Sequence, residues 1–219
     1  MSRAVVCDWD GTLLDSRAAL LGAWHESTEQ VLGRRFPATE DEEREVFTLP
    51  GSTIWPRLAP DARLLQALAE RFQQAYETTG ELVQAFPGVP EALAELQAAG
   101  VAVAVVTSKA RRRFSADARR SGLDELVDVS VCDGDAPAPK PDPRPVLVAL
   151  ERLGVLATDA LMVGDTPVDV TAGLRAGVAV AGVLWGASTE GDLRDAGATT
   201  LVAEPQDLTG IVLGGRVAS

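Results

Sequence analysis

Apolar residues in this chain gather in short unbroken runs instead of alternating with polar ones. Val/Ala/Leu-rich stretches recur at 4–7, 101–106, 127–132, 160–163 and 179–184, with a weaker one at 200–203. Alternation marks a strand with one wet face. Its absence predicts strands buried on both faces, as in parallel sheets. Between the runs lie helix-like stretches at 88–100, 115–127, 143–154 and 168–177. Three of them finish on Gly100, Gly154 and Gly177, and glycine readily takes the left-handed turn that closes a helix. Strand alternating with helix predicts an α/β fold, a Rossmann-like open parallel sheet sandwiched by helices.

One interval breaks that rhythm. Nearly a hundred residues separate the first run from the second, far more than a crossover needs. Residues 17 to about 80 read as helical, with "RAALLGAWHESTEQVLG" and "ARLLQALAERFQQAYETTG" both amphipathic. The economical reading is an all-helical insert over 16–82, with the core formed by 1–15 and 83–219.

Composition narrows the function classes. The chain has 219 residues, 46% of them hydrophobic and 24% charged, enough for one substantial core and a smaller unit. No apolar run reaches the roughly 18 residues of a membrane span, and no signal peptide is indicated, so the expected compartment is the cytoplasm. A net charge of −12 argues against nucleic acid or an anionic membrane as partner. Arg111, Arg112, Arg113, Arg119 and Arg120 then read as a solvated helix face. Cys7 and Cys132 read as small buried hydrophobes, with a single disulfide left open. His25, the only histidine, has a surface or packing role or else touches substrate. Only two lysines occur, Lys109 and Lys140, so each can be weighed by its place.

Ligands of an open parallel sheet bind beyond the carboxyl ends of its strands. The first run ends "CDWDG", with Asp8 and Asp10 one residue apart. The second ends "VVTSK", which puts Thr107 and Ser108 at its tip, and Lys140 lies in the loop after the third. The fourth ends "MVGDTPVDV", with Asp165 at the tip and Asp169 one helical turn on. Like charges as close as Asp8 and Asp10 oppose each other's ionisation, so something outside the pair must make the arrangement tolerable. Trp9 should point to the opposite side and pack. Ser108 and Lys109 can also be read as helix-start residues, and Asp133 and Asp135 as solvated loop acids.

Together, "DWDGTLLDS", "VVTSK", Lys140 in "PKPDP" and "VGDTPVDV" resemble the four motifs of the haloacid dehalogenase superfamily of phosphatases and phosphotransferases. The closing "LWGAS" and "LRDAGATTLVAEPQDL" are similar to phosphoglycolate-phosphatase-like members, and the helical insert to their cap. The resemblance implies a small phosphorylated metabolite as substrate and Mg²⁺ as cofactor. Its ligands would be Asp8, Asp165 and the backbone carbonyl of Asp10. It implies Asp8 as nucleophile, Asp10 as general acid and base, Thr107 and Lys140 on the transferring phosphoryl group, and Asp169 holding Lys140 or a metal-bound water. Ser108 supports them. In the cap, Trp24, His25, Gly51, Ser52 and Thr53 are the candidates for substrate contact. The oligomer would be a monomer or homodimer.

Departures from particular relatives remove rivals. Sugar-phosphate mutases of the β-phosphoglucomutase type carry a basic residue where this chain has Pro50. They also carry a histidine where it has Ala19, Leu20 and Leu21. Phosphonoacetaldehyde hydrolase needs a cap lysine, absent here, and haloacid dehalogenases lack the second acid that Asp10 provides. A small-molecule phosphatase remains. The other readings carried forward are the mutase and a domain that binds a phosphorylated metabolite without turnover.

Overall fold

The computed structural model describes residues 3–49 and 51–214; Pro50, weighed above against the mutases, lies outside the described residues. In chain order the elements are β1 (Ala4–Cys7), β2 (Leu14–Asp15), α1 (Arg17–Leu32), α2 (Glu40–Thr48), α3 (Gly51–Leu58), α4 (Ala62–Thr79), β3 (Gln84–Ala85) and α5 (Val89–Ala98). There follow β4 (Ala102–Ala110), α6 (Arg111–Ser121), β5 (Val129–Asp133), α7 (Arg144–Leu153), β6 (Ala160–Gly164) and α8 (Pro167–Arg175). The chain continues through β7 (Ala179–Val183), α9 (Glu190–Asp195), β8 (Thr200–Val202) and α10 (Asp207–Gly214). It divides into two compact units, 1–14 with 85–219 and 15–84.

The first unit holds a six-stranded sheet in the order β5-β4-β1-β6-β7-β8, with every pair parallel. All four residues of β1 and all five of β6 are buried, which is why these strands appear in the sequence as unbroken apolar runs. The core is built from them, with Val6, Val106, Met162 and Val180 among the residues packed against Val146, Leu150, Val170 and Leu193. The chain travels outward from β1 to β4 and β5, then returns to the other side of β1 for β6, β7 and β8. Strand order therefore reverses at β1, the place where a crevice opens beyond the strand ends in such sheets. Register puts Cys7 level with Val105 and Val163, so Asp8, which follows the end of β1, stands level with Val106 of β4 and Gly164 at the end of β6.

Three helices differ from expectation. Where 115–127 was expected, α6 already starts at Arg111 and stops at Gly122, whose φ of 71° ends it. The remaining residues form a short 3₁₀ turn, Asp124–Leu126. Also unforeseen are α9 and α10, although α9 carries a legible start: Thr189 and Asp192 form a reciprocal capping box. Both cysteines are buried and free. No helix among the described residues is long and apolar enough to cross a membrane.

The second unit is helical. α1 and α4 lie against each other, and an aromatic cluster fills their interior. Trp24 sits 5.6 Å from Phe36, 6.0 Å from Trp55 and 5.0 Å from Phe72 between ring centroids. Such tilted and edge-on pairs add stabilisation beyond the area they bury.

Candidate active site

The site grows from the end of β1. The Asp8 N–H donates to the Val163 carbonyl (2.9 Å), which continues the β6 ladder one residue past the strand. Trp9 turns to the opposite side, fully buried, with its ring 4.7 Å from that of Phe114. A tight turn follows, with the N–H groups of Leu13 and Leu14 both donating to the Trp9 carbonyl. Gly11 holds that turn at φ 83°, and a Cβ there would come within 2.3 Å of Asp165 Oδ2. Only glycine meets both demands.

Lys140 answers the Asp8 carboxylate. Its Nζ donates to Asp8 Oδ1 (2.8 Å), Asp169 Oδ1 (2.6 Å) and the Val106 carbonyl (2.9 Å). An ammonium has three protons, so this one is saturated. Asp169 accepts on its other oxygen from the Thr166 N–H (3.1 Å) and hydroxyl (2.6 Å), and thereby caps α8 while it anchors the lysine. Asp165 accepts from the Thr12 hydroxyl (2.9 Å) on one oxygen and from the Ala187 N–H (2.8 Å) on the other.

The aspartates Asp8, Asp165 and Asp169 are buried, with carboxylate oxygens within 4.8 Å of one another. Three carboxylates thus face a single ammonium. Burial pushes Asp8 well above the usual carboxylate range and Asp169 adds to it, while Lys140 pulls the other way. Burial and then Asp169 push Asp165 up to about 7, against the hydrogen bonds from Ala187 and Thr12. For Lys140, burial favours the neutral amine, but the Asp169 and Asp8 carboxylates outweigh it and hold the amine well above its ordinary value. Hard oxygen donors that burial makes costly to ionise are a fitting cage for a small divalent cation.

Backbone shape makes room for Asp165. A Cβ on Gly186 would lie 2.2 Å from Asp165 Cβ, and one on Gly164 would lie 2.3 Å from Asp169 Cβ. Gly186→Ala should therefore push Asp165 out of place, lowering kcat/KM at least about a hundredfold and reducing the melting temperature. Steady-state kinetics and calorimetry check this, and a variant with ordinary turnover would contradict it.

The tip of β4 is irregular. Val106 pairs with Val131 but Ala110 pairs with Asp133, so three residues of β4 stand opposite Cys132 alone. Bulges of this kind re-aim side chains near functional sites. Thr107 becomes buried, and its Oγ1 accepts the Lys109 N–H (3.0 Å). Thr107, Ser108 and Lys140 also line a pocket of about 190 Å³ together with Cys132–Asp133 and the 136–139 loop.

Sequence reasoning weighed Lys109 only as a helix-start residue. It belongs to β4, not to a helix start, and is buried with its Nζ 2.7 Å from Asp10 Oδ1 and 2.6 Å from Asp117 Oδ2. Thr12, Asp117, Ala187 and Gly186 were missed. The two loop acids part company: Asp133 is exposed, while Asp135 is tied to Arg111 and to the Cys132 N–H (3.1 Å). The basic cluster is partly neutralised in the same way, by Arg111 on Asp135 and Arg120 on Asp117.

The cap candidates lie in the helical unit. Trp24, 3% exposed, belongs to its aromatic interior. His25 uses both ring nitrogens, with Nε2 3.0 Å from the Pro37 carbonyl and Nδ1 2.9 Å from Arg35. Gly51 opens α3, and Ser52 and Thr53 are exposed in its first turn.

Known proteins point the same way. Residues 5–183 match the family model described as haloacid dehalogenase-like hydrolase. Pyrophosphatase PpaX of Bacillus velezensis is 31% identical over 184 residues, covering 83% of each chain. A hydrolase from Pseudomonas syringae of known structure superposes with a TM-score of 0.84 at 25% identity over the whole of both chains. A Thermotoga maritima protein assigned as a beta-phosphoglucomutase gives a TM-score of 0.77 at 27% identity, covering 97% of this chain and 99% of its own. The family-model match spans most of the chain and contains Asp8, Asp10, Asp117, Asp165 and Asp169. This chain belongs to the haloacid dehalogenase-like hydrolase family.

Proposed function

We propose that the chain is a Mg²⁺-dependent phosphatase that hydrolyses a small phosphorylated substrate through an aspartyl phosphate on Asp8. The observation that carries this reading is the buried trio Asp8, Asp165 and Asp169, with the Lys140 ammonium bonded to two of them. Asp8, Asp165 and the Asp10 backbone carbonyl would hold the metal. A cation held there would offset the charge of the carboxylates and of the phosphoryl dianion, so that an anionic nucleophile could approach an anionic group.

The chain's own residues then divide the work. A carboxylate oxygen of Asp8 attacks phosphorus as the bond to the leaving oxygen breaks, and Asp10 gives its proton to that oxygen. In the second half, Asp10 takes a proton from the water that attacks phosphorus. Phosphate leaves and Asp8 is restored. Thr107, whose oxygen already accepts the Lys109 N–H, keeps its own proton for a phosphoryl oxygen. Lys140 offsets charge on Asp8, and Asp169 holds Lys140. Leaving-group selectivity is assigned to the helical insert, with exposed Ser52 and Thr53 the first residues to vary.

The similarity to PpaX pyrophosphatases favours a second substrate, inorganic pyrophosphate, for the same machinery. The mutase reading has less support, since Ala19 is buried and the Ala19–Leu21 stretch offers no side chain able to move a proton. Release of phosphate from p-nitrophenyl phosphate and from pyrophosphate, each with and without Mg²⁺, tests the proposal. Activity with Mg²⁺ that EDTA abolishes is expected; the absence of release from either substrate would overturn it.

Metal removal has a second consequence. With Asp165 at about 7 in the folded chain, against about 4 when unfolded, the folded state binds the extra proton between those values. In EDTA, stability is fully present below the unfolded value and is lost as pH rises towards 7. Mg²⁺ should therefore raise the melting temperature more at pH 8 than at pH 5. An equal rise at both, measured by scanning calorimetry, would contradict this.

A further inference from the structure

Both lysines of the chain are buried, and each bridges two aspartates. Lys140 joins Asp8 to Asp169, as described. Lys109, 4% exposed, joins Asp10 to Asp117 on α6. Asp117 is fully buried, and Arg120 approaches its other oxygen at 3.4 Å. A buried ammonium holds its place only where its partners are fixed, and removing one partner leaves an uncompensated charge. Here the far partner is rooted in a helix interior, so the near partner, Asp10, is the one whose position the ammonium controls. The irregular stretch of β4 makes this possible, because it turns the Lys109 side chain inward while its N–H reaches Thr107.

We propose that Lys109, anchored by Asp117, is the positioning residue for Asp10: it fixes the carboxyl group that passes a proton to the leaving oxygen. The proposal rests on the reading of Asp10 as general acid and base. As the bond from Asp8 oxygen to phosphorus forms, the electron pair of the breaking bond goes to the leaving oxygen, and the Asp10 proton follows it. The need for that proton grows with the basicity of the leaving group. A misplaced Asp10 thus penalises poor leaving groups most. A lysine that merely tied β4 to α6 would, when lost, slow every substrate alike.

The experiment compares kcat/KM for p-nitrophenyl phosphate and phenyl phosphate in Mg²⁺, for the wild type, Asp10→Asn, Lys109→Met, Lys109→Arg and Asp117→Asn. Lys109→Met keeps the main-chain N–H on Thr107 and removes only the charge. It should lose less than about tenfold on p-nitrophenyl phosphate and a further tenfold or more on phenyl phosphate. Lys109→Arg should restore part of the phenyl phosphate rate. Where circular dichroism shows that Lys109→Met does not fold, Asp117→Asn carries the same test, with a smaller shift in the same direction. Equal losses on both substrates, or none, in a folded variant overturn the proposal. Asp10→Asn keeps the two readings apart. A steep leaving-group dependence in Asp10→Asn with none in the lysine variant sinks the positioning role alone. Equal rates for both substrates in Asp10→Asn sink the acid–base assignment, and the positioning role with it.

Discussion

Asp8→Asn should abolish turnover and leave the protein at least as stable as before. The amide cannot attack phosphorus, and loss of a covalent nucleophile costs at least about 10⁴-fold in kcat. Stability moves the other way. Burial, and then the Asp169 carboxylate, raise Asp8 well above the ordinary carboxylate range, so its ionised form is unfavourable in the folded chain at neutral pH. A neutral isostere removes one of the three crowded carboxylates and keeps an oxygen facing Lys140. In EDTA at pH 8 the melting temperature of Asp8→Asn should equal or exceed that of the wild type. A variant that turned over normally, or that melted well below the wild type, would contradict the part assigned to Asp8. The opposite signs are what a functional cluster implies, since such sites are built at the expense of stability.

Lys140→Met should do the reverse, losing both activity and stability. It withdraws the ammonium that Asp8 and Asp169 share and leaves the Val106 carbonyl without that donor. Breaking a buried pair from one side costs about 3–5 kcal/mol, because the remaining charge stays buried. The carboxylates can escape part of that cost by taking up protons. The deficit relative to wild type should therefore be larger at pH 8 than at pH 5. Urea unfolding in EDTA at the two pH values measures it. An unchanged midpoint, or a deficit that grows on acidification, would show that Lys140 does not balance these acids.

Much of this architecture could be read from the chain because the strands are buried on both faces. Residues 4–7, 160–163 and 179–184 have no polar face to interrupt them, and each run stops where its carboxylate or loop begins. Asp8, Thr107 and Asp165 were legible as polar residues where apolar runs stop, and Lys140 and Asp169 by the loop and the helical turn that follow such runs. Lys109 was harder. Its partner Asp117 lies eight residues on, across the junction from β4 into α6, where no single strand or helix period relates the two. Asp165 is held by the Ala187 N–H, which has no side-chain signature, and by Thr12, a residue that also suits an ordinary turn. Gly186 and Gly164 matter for the volume they leave to Asp165 and Asp169, a tertiary property invisible before folding. Thr189 and Asp192 did carry a capping signal, but α9 is only six residues long.

The central claim is that phosphoryl transfer passes through Asp8. The most direct test is mass spectrometry of the protein quenched in acid during turnover of p-nitrophenyl phosphate with Mg²⁺, followed by digestion. A phosphoryl group on the Asp8 carboxylate, absent from Asp8→Asn and from samples in EDTA, is the expected result. A phosphoryl group on any other residue, or its formation undiminished in Asp8→Asn, would contradict the mechanism.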